Sequence, residues 1–132
     1  MLQGDFFSII STETHPDDPS VPGVRQFTAT VKLDPGHAIY DGHFPGNPVV
    51  PGVCQVQMVR EVAESLLGVR GMLCTASNIK FLNMIVPSAN PLLTIRFKIK
   101  FPEPGRADLA ATISSESTIF LKFNGILCIK PS

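Results

Sequence analysis

Charge is sparse in this chain of 132 residues, and the charges that are present cancel. Charged side chains make up 17% of the sequence, with 11 basic residues against 11 acidic ones. A balanced chain has no overall field that would attract nucleic acid or an anionic membrane, so we expect neither as a partner. Any docking driven by charge must be local.

Long apolar runs are also missing. No stretch approaches the roughly 20 residues that a membrane-spanning helix needs. The first ten residues, MLQGDFFSII, lack the basic start and the small-residue cleavage site of a secretion signal. We therefore expect neither membrane anchoring nor secretion, and we predict a cytoplasmic protein.

Cysteine is scarce and irregularly placed. Cys54, Cys74 and Cys128 are odd in number and far apart, which fits neither a zinc site nor an even disulfide framework. We predict that all three are reduced thiols, mostly buried, and we expect no metal and no resident cofactor.

Apolar residues, by contrast, make up 44% of the chain. A chain of 132 residues has enough of them for one core and no more, so residues 1–132 are predicted to form a single domain. The apolar content is high for an independent monomer, and we expect part of this surface to be covered by a partner.

Alternating apolar and polar residues predict strands over RQFTATVKL (25–33), ASNIKFLNMIV (76–86), TIRFKIKF (94–101), ADLAATIS (107–114) and TIFLKFNGILCI (118–129). Asn124-Gly125 is predicted to be a bulge within one long strand, with a hairpin turn as the alternative. THPDDPSVPG (14–23) is predicted to be an exposed loop.

Residues 53–67 predict the one helix, since their apolar side chains share one broad face and Gly68 follows. One helix with a run of antiparallel strands indicates an α+β domain, in which a sheet wraps around the helix. Such a sheet has two open edges, and pairing with a second subunit would cover one of them. We therefore predict a dimer formed through the sheet and the helix.

The stretch GHFPGNPVVPGVCQVQ (42–57) carries the most specific signal. Its prolines and glycines indicate a rigid loop that holds His43 in a fixed place before the helix. The N–H groups of Gly52 and Val53 would lie at the positive end of the helix dipole, which suits a thioester carbonyl that becomes an enolate. A neutral histidine facing that carbonyl could remove the adjacent proton. The alternative is that His43 only hydrogen-bonds the loop.

GHFPGNPVVPGV closely resembles the signature of the β-hydroxyacyl-acyl carrier protein dehydratases, His-Phe-Pro-Gly-x-Pro-x-x-Pro-Gly-Val. IKFLNMIVPSANPLLTIRF is similar to a Lys-Phe segment of the same family, and the resemblance covers roughly residues 25–129. It implies a hot-dog fold, with His43 and a helix carboxylate of the other subunit in the active site. It also implies that the Gly52 N–H polarises the thioester carbonyl, and that Tyr40, Phe44 and Pro51 lie along the substrate tunnel or its loop.

The helix departs from the family pattern. The family has Glu or Asp fourteen residues after the histidine, where this chain has Gln57. A glutamine can hydrogen-bond a 3-hydroxyl but has no proton to give at neutral pH. Glu61 follows one turn later and could reach the site directly or through water, so His43, Gln57 and Glu61 are the predicted catalytic residues. The alternative for Glu61 is a solvated or interface charge paired with Arg60 or a lysine.

The resemblance implies dehydration of 3-hydroxyacyl thioesters, carried on the phosphopantetheine of acyl carrier protein or coenzyme A, in fatty acid or polyene-type biosynthesis. Two alternatives stay open. One is a non-catalytic or half-catalytic subunit that forms a heterodimer with a carboxylate-bearing paralogue, instead of a homodimer or higher homo-oligomer. The other is a hot-dog thioesterase. A basic strand face is predicted to dock the carrier protein, unless it is simply solvated: Lys80, Arg96, Lys98 and Lys100.

Overall fold

The strands form one antiparallel sheet that wraps around a single helix. The computed structural model describes residues 2–41 and 48–130. The elements in chain order are β1 Phe7–His15, β2 Val24–Leu33, a short 3-10 helix Ala38–Asp41, α1 Gly52–Leu67, β3 Gly71–Phe81, β4 Leu92–Glu103, β5 Arg106–Ser115 and β6 Thr118–Ile129. The strand order is β1-β2-β4-β5-β6-β3, so β1 and β3 are the two edges. The α+β prediction, with a sheet wrapped around one helix, is confirmed.

The core lies between α1 and the inner face of the sheet. On β4, Ile95, Phe97 and Ile99 are buried, and the residues between them point outward. The inner helix face buries Met58 and Val62 against them. The alternation predicted for β4 is therefore confirmed, except that Phe101 is 42% exposed beyond the edge of the core.

Two strands differ from their predicted bounds. β1 was not predicted, because six of its nine residues are exposed and its sequence has no buried alternation: only Phe7 is buried, and Ile9 and His15 are half-buried. It forms by pairing with β2, from Phe7↔Leu33 to His15↔Gln26. As a result the predicted loop begins after His15 rather than at residue 14. β3 runs over Gly71–Phe81 instead of 76–86, and it leaves the sheet before Leu82.

Asn124-Gly125 lies inside β6, so the hairpin alternative is wrong and one long strand is confirmed, but the bulge predicted at these two residues is wrong, since both pair within the ladder. The irregularities in the ladder lie opposite, in β3, between Leu73 and Thr75 and between Ala76 and Asn78. A Cβ on Gly125 would stand 2.7 Å from the Thr75 carbonyl oxygen. Glycine is needed here because two backbones approach closely, not because the chain turns.

Cys74 and Cys128 form a disulfide between β3 and β6, with Cα atoms 5.9 Å apart. The prediction of reduced, mostly buried thiols is wrong for this pair, and Cys74 is exposed. The cause is the antiparallel pairing of Met72 with Cys128, which brings together cysteines 54 residues apart. Cys54 is free and buried, as predicted, and burial raises the pKa of its thiol.

Candidate active site

The N-terminus of α1 presents backbone donors at the rim of a groove. Pro51 precedes the helix without a side-chain cap, and its carbonyl accepts the first two helical bonds, from Cys54 N at 3.0 Å and Gln55 N at 3.1 Å. The N–H groups of Gly52 and Val53 come before those bonds, and within residues 2–41 and 48–130 they have no acceptor. This is the arrangement that stabilises a developing oxyanion.

The groove beside these donors has a volume of about 570 Å³ and is mainly apolar. The ring of Phe81 lies across Gly52, so closely that a Cβ on Gly52 would stand 2.8 Å from its Cζ atom. Gly52 is therefore the residue that lets β3 close over the helix N-terminus. The lining residues are Val49, Val50, Gly52, Gln55, Phe81, Leu82, Asn83 and Met84.

Gln55 is a buried polar residue in the wall of this groove, and the sequence did not single it out. Its Nε2 atom donates to the Val50 carbonyl at 3.3 Å. Its Oε1 atom is buried and has no donor among the described residues. The only sequence signal was an amide on the otherwise apolar helix face, between Cys54 and Met58.

Gln57 and Glu61 are joined directly. Gln57 Nε2 donates to Glu61 Oε2 at 2.9 Å, one turn along the helix. Glu61 is 6% exposed, so it is not a solvated charge, and Arg60 pairs with Glu64 at 2.8 Å instead. Solvation and pairing with Arg60 are therefore wrong for Glu61, whereas an interface charge or a lysine of a second subunit stays an open alternative.

The remaining partners of Glu61 come from the start of the chain. Leu2 N donates to both carboxylate oxygens at 2.9 Å, and Gln3 N donates to Oε1 at 2.8 Å. No sequence pattern could have indicated these contacts, since the donors are backbone N–H groups. They tie Glu61, and through it the Gln57 amide, to the start of the chain, on a side of the helix that does not line the groove.

Tyr40 is buried in the 3-10 helix, with its ring centroid 5.7 Å from that of Phe6. Burial raises the pKa of its phenol well above the ordinary value, so it is a poor proton donor at neutral pH. The other histidines have partners outside the groove: His37 Nε2 lies 3.0 Å from Asp5 Oδ2, and His15 Nε2 lies 2.6 Å from Thr28 Oγ1.

The predicted docking residues on β4 lie on the outer face of the sheet, away from α1. Arg96, Lys98 and Lys100 alternate with the buried residues of that strand and are exposed, and Arg96 Nη1 donates to Ser114 Oγ at 3.1 Å. Lys80, on the edge strand β3, is also exposed. The structure thus does not bring the β4 cations to the groove, and their docking role stays a prediction.

His43 and Phe44 fall outside the described residues. The chain reaches His43 two residues after Asp41 and returns at Pro48, and Val50 N donates to the Ile85 carbonyl at 2.9 Å. The catalytic roles of His43, Gln57 and Glu61 remain predictions.

Within the described part of the chain, no helix is long and apolar enough to cross a membrane.

Comparison with known proteins gives a family match over most of the chain. The family model of ApeI-like proteins, described as ApeI dehydratase, matches residues 17–112. A 3-hydroxyacyl-[acyl-carrier-protein] dehydratase, FabZ, from Syntrophomonas wolfei is 32% identical over 84 residues, which are 58% of this chain and 58% of that protein. The chain spans about three fifths of the length of the curated relatives it matches.

Solved structures show the same fold at lower identity. A chain of the dehydratase heterocomplex ApeI:P from Xenorhabdus doucetiae is 22% identical with a TM-score of 0.59, covering 91% of this chain and 96% of that one. A mutant of a thioesterase enzyme from Staphylococcus aureus is 14% identical with a TM-score of 0.56, covering 95% and 93%. The hot-dog fold is thus confirmed, and the family match over residues 17–112 shows that this chain belongs to the ApeI-like dehydratase family.

Proposed function

We propose that this protein dehydrates 3-hydroxyacyl thioesters, carried on the phosphopantetheine of acyl carrier protein or on coenzyme A. The supporting observation is that the Gly52 and Val53 N–H groups, at the start of α1, have no acceptor among the described residues, and that Gly52 lines an apolar groove. Donors at a helix N-terminus suit the thioester oxygen, and the apolar walls suit an acyl chain.

In the proposed reaction, neutral His43 removes the C2 proton and the Gly52 and Val53 N–H groups stabilise the enolate oxygen. The C2=C3 double bond then forms as the C3–O bond breaks. The leaving oxygen needs one proton, which Gln57 does not have. The imidazolium of His43 returns the proton it took from C2, so the products are the enoyl thioester and water, and Gln57 holds the hydroxyl by a hydrogen bond.

A second copy of the chain is proposed to cover the rim of this groove. Four large apolar side chains are exposed there, around the end of β3 and the start of α1: Val53 at 77%, Phe81 at 52%, Leu82 at 47% and Met84 at 74%. Exposed apolar patches on an open sheet edge are typical of subunit interfaces. The resemblance to the dehydratases also implies an active site shared between subunits.

A heterodimer is the second candidate, and Gln57 is the observation that favours it. A subunit with His43 but no helix acid could complete one site with a carboxylate-bearing paralogue. The structural neighbour from Xenorhabdus doucetiae is itself part of a heterocomplex.

The cytoplasmic location stays a prediction. It was supported by the expectation of three reduced thiols, and that support is lost because Cys74 and Cys128 form a disulfide and disulfides are rare in the cytoplasm.

The test uses the purified full chain with 3-hydroxyacyl-coenzyme A and 3-hydroxyacyl carrier protein thioesters, following enoyl absorbance and, separately, free thiol. We expect enoyl formation that His43→Ala abolishes. Thiol release without enoyl formation would indicate a thioesterase. Turnover that appears only after addition of a carboxylate-bearing paralogue would support the heterodimer, and no effect of His43→Ala would overturn the proposal.

A further inference from the structure

The groove beside Gly52 has one polar side chain in its wall that is buried and incompletely bonded. Gln55 is 3% exposed, and its Nε2 atom donates to the Val50 carbonyl at 3.3 Å. Because a carbonyl only accepts, this contact fixes the orientation of the amide and leaves Oε1 as the free acceptor. No described residue donates to Oε1. A buried acceptor without a donor is costly, so its place in a groove wall indicates a ligand that donates.

Asn83 has the same arrangement nearer the surface. Its Nδ2 atom donates to the Ile119 carbonyl at 2.8 Å, and no described residue donates to its Oδ1 atom. Asn83 also lines the groove, but unlike Gln55 it is exposed. The groove therefore has one buried and one exposed acceptor, and a backbone carbonyl fixes the orientation of each amide.

The rest of the groove limits what these two acceptors can bind. The described residues of the lining include no charged side chain. A phosphate or carboxylate would present only acceptors to the two amide oxygens and would find no cation beside them. A 3-hydroxyacyl chain suits the apolar walls but offers one donor. A neutral ligand with two N–H donors in sequence satisfies both acceptors.

We propose that Gln55 and Asn83 are specificity-determining residues, which accept hydrogen bonds from the two amide N–H groups of a pantetheine arm. The inference rests on the proposed function, because the arm belongs to the proposed substrate and its sulfur adjoins the carbonyl bound at Gly52. The Gln55 side chain leans back to Val50, so its amide lies level with the helix N-terminus. The arm enters from solvent with its sulfur innermost. Its inner amide therefore meets the buried Gln55, and its outer amide meets the exposed Asn83.

Two ligand analogues test the assignment one amide at a time. Each replaces one amide N–H of 3-hydroxyhexanoyl-pantetheine by an ester oxygen, which keeps the shape of the arm and turns a donor into an acceptor. The measurement is the dissociation constant of each ester divided by that of the parent ligand, by calorimetry on the full chain. For the wild type we expect an inner ratio of about 10 and an outer ratio of about 3, since water also bonds the exposed Asn83.

The two residues should affect different ratios. Gln55→Met removes the buried acceptor at nearly constant length, and it should bring the inner ratio close to one while the outer ratio stays. Asn83→Leu should do the reverse. Gln26→Met is the matched control, since Gln26 is a half-buried glutamine of β2 that does not line the groove, and it should leave both ratios unchanged. A variant that only loosens the fold would not change one ratio alone.

A wild type that binds the parent ligand and both esters equally overturns the inference. If Gln55→Met does not fold, an unchanged outer ratio in Asn83→Leu overturns it as well. The proposed function fails separately, because enoyl formation is measured on the same parent ligand. Binding with the expected ratios but without enoyl formation would overturn the dehydration alone, and enoyl formation with both ratios at one would overturn the inference alone. A wild type that binds no ligand would overturn both.

Discussion

Phe81, the last residue of β3, lies across Gly52, the first residue of α1, and leaves no room for a Cβ on that glycine. The edge strand and the helix N-terminus therefore meet at the point where the thioester carbonyl is proposed to bind. Since the Phe81 side chain is half exposed, a group added at Gly52 could push the ring toward solvent.

Gly52→Ala should test the space around Gly52 separately from its backbone N–H donor. Alanine keeps the N–H group, so the oxyanion donor stays, but its methyl group must push the Phe81 ring toward the groove. We expect kcat/KM to fall about 10-fold or more, because small displacements at a reacting centre are costly. Adding Phe81→Ala should recover part of the loss, which a double-mutant cycle measures. Wild-type activity in Gly52→Ala would show that the ring does not border the substrate.

Met84→Lys tests the proposed interface at the groove rim. Met84 is 74% exposed in the single chain, and a second subunit would bury it. A lysine there would place an unpaired charge in an apolar contact, so we expect the dimer dissociation constant to rise at least about 10-fold. Sedimentation velocity over a dilution series measures this. Ile10→Lys, at a 56% exposed residue on the opposite edge strand, is the control and should leave the association unchanged. Equal behaviour of the two variants would contradict the interface.

The disulfide predicts a stability that depends on reductant. Cys74 and Cys128 close a loop with a sequence separation of 54, and opening it enlarges the unfolded ensemble. We expect reduction to lower the free energy of unfolding by about 2–4 kcal/mol, seen as a lower midpoint in urea. The double variant Cys74→Ser, Cys128→Ser should resemble the reduced protein and be insensitive to reductant. If reductant shifts this variant as much as the wild type, the bond does not stabilise the fold.

The elements that could be predicted from the sequence are those with one face buried, because burial of one face requires a regular spacing of apolar residues. β2, β4, β5 and α1 have faces buried against the core, and their periods of two and 3.6 residues predicted them. β1 is mostly exposed, so its existence depends on the β2 ladder and has no period of its own. The loop signature predicted the family and the role of Gly52. The signature specifies a glycine only as a residue type, and here the structure shows why this type is required: the Phe81 ring packs directly on Gly52.

The environment of Glu61 could not be predicted in the same way. Its partners Leu2 and Gln3 contribute backbone N–H groups, and any residue except proline has such a group. The Cys74–Cys128 bond was hidden for a related reason, since it depends on the register of two strands far apart in the sequence. Contacts that depend on backbone atoms or on strand register cannot be predicted from the types of the residues that make them.

The last prediction concerns Gln57→Glu, which restores the carboxylate of the family at nearly constant volume. The structure adds that this carboxylate would stand against Glu61, where Gln57 Nε2 now donates at 2.9 Å. Two carboxylates in contact share a proton, so the pKa of one of them rises and the pair holds a proton near neutral pH. That proton is what a leaving hydroxyl requires. We expect the dimer to stay intact and dehydratase turnover to rise about 10-fold or more, and Glu61→Gln alone to lower the wild-type activity.

The same shared proton gives the stability of Gln57→Glu a defined dependence on pH. In the folded variant, the pKa of one carboxyl group of the pair is raised above the unfolded value of about 4.3. Between these two pKa values the folded variant therefore binds more protons than the unfolded chain. Relative to the wild type, stability should therefore fall as pH rises from about 4.3 through the raised pKa. Urea unfolding between pH 5 and pH 8 measures this, and enoyl absorbance gives the rate at each pH. The exchange Gln57→Glu with Glu61→Gln leaves one carboxylate bonded to one amide and should flatten the pH dependence of stability. If Gln57→Glu unfolds the protein, or leaves turnover flat while Glu61→Gln is silent, then this stripe of the helix does not face the substrate.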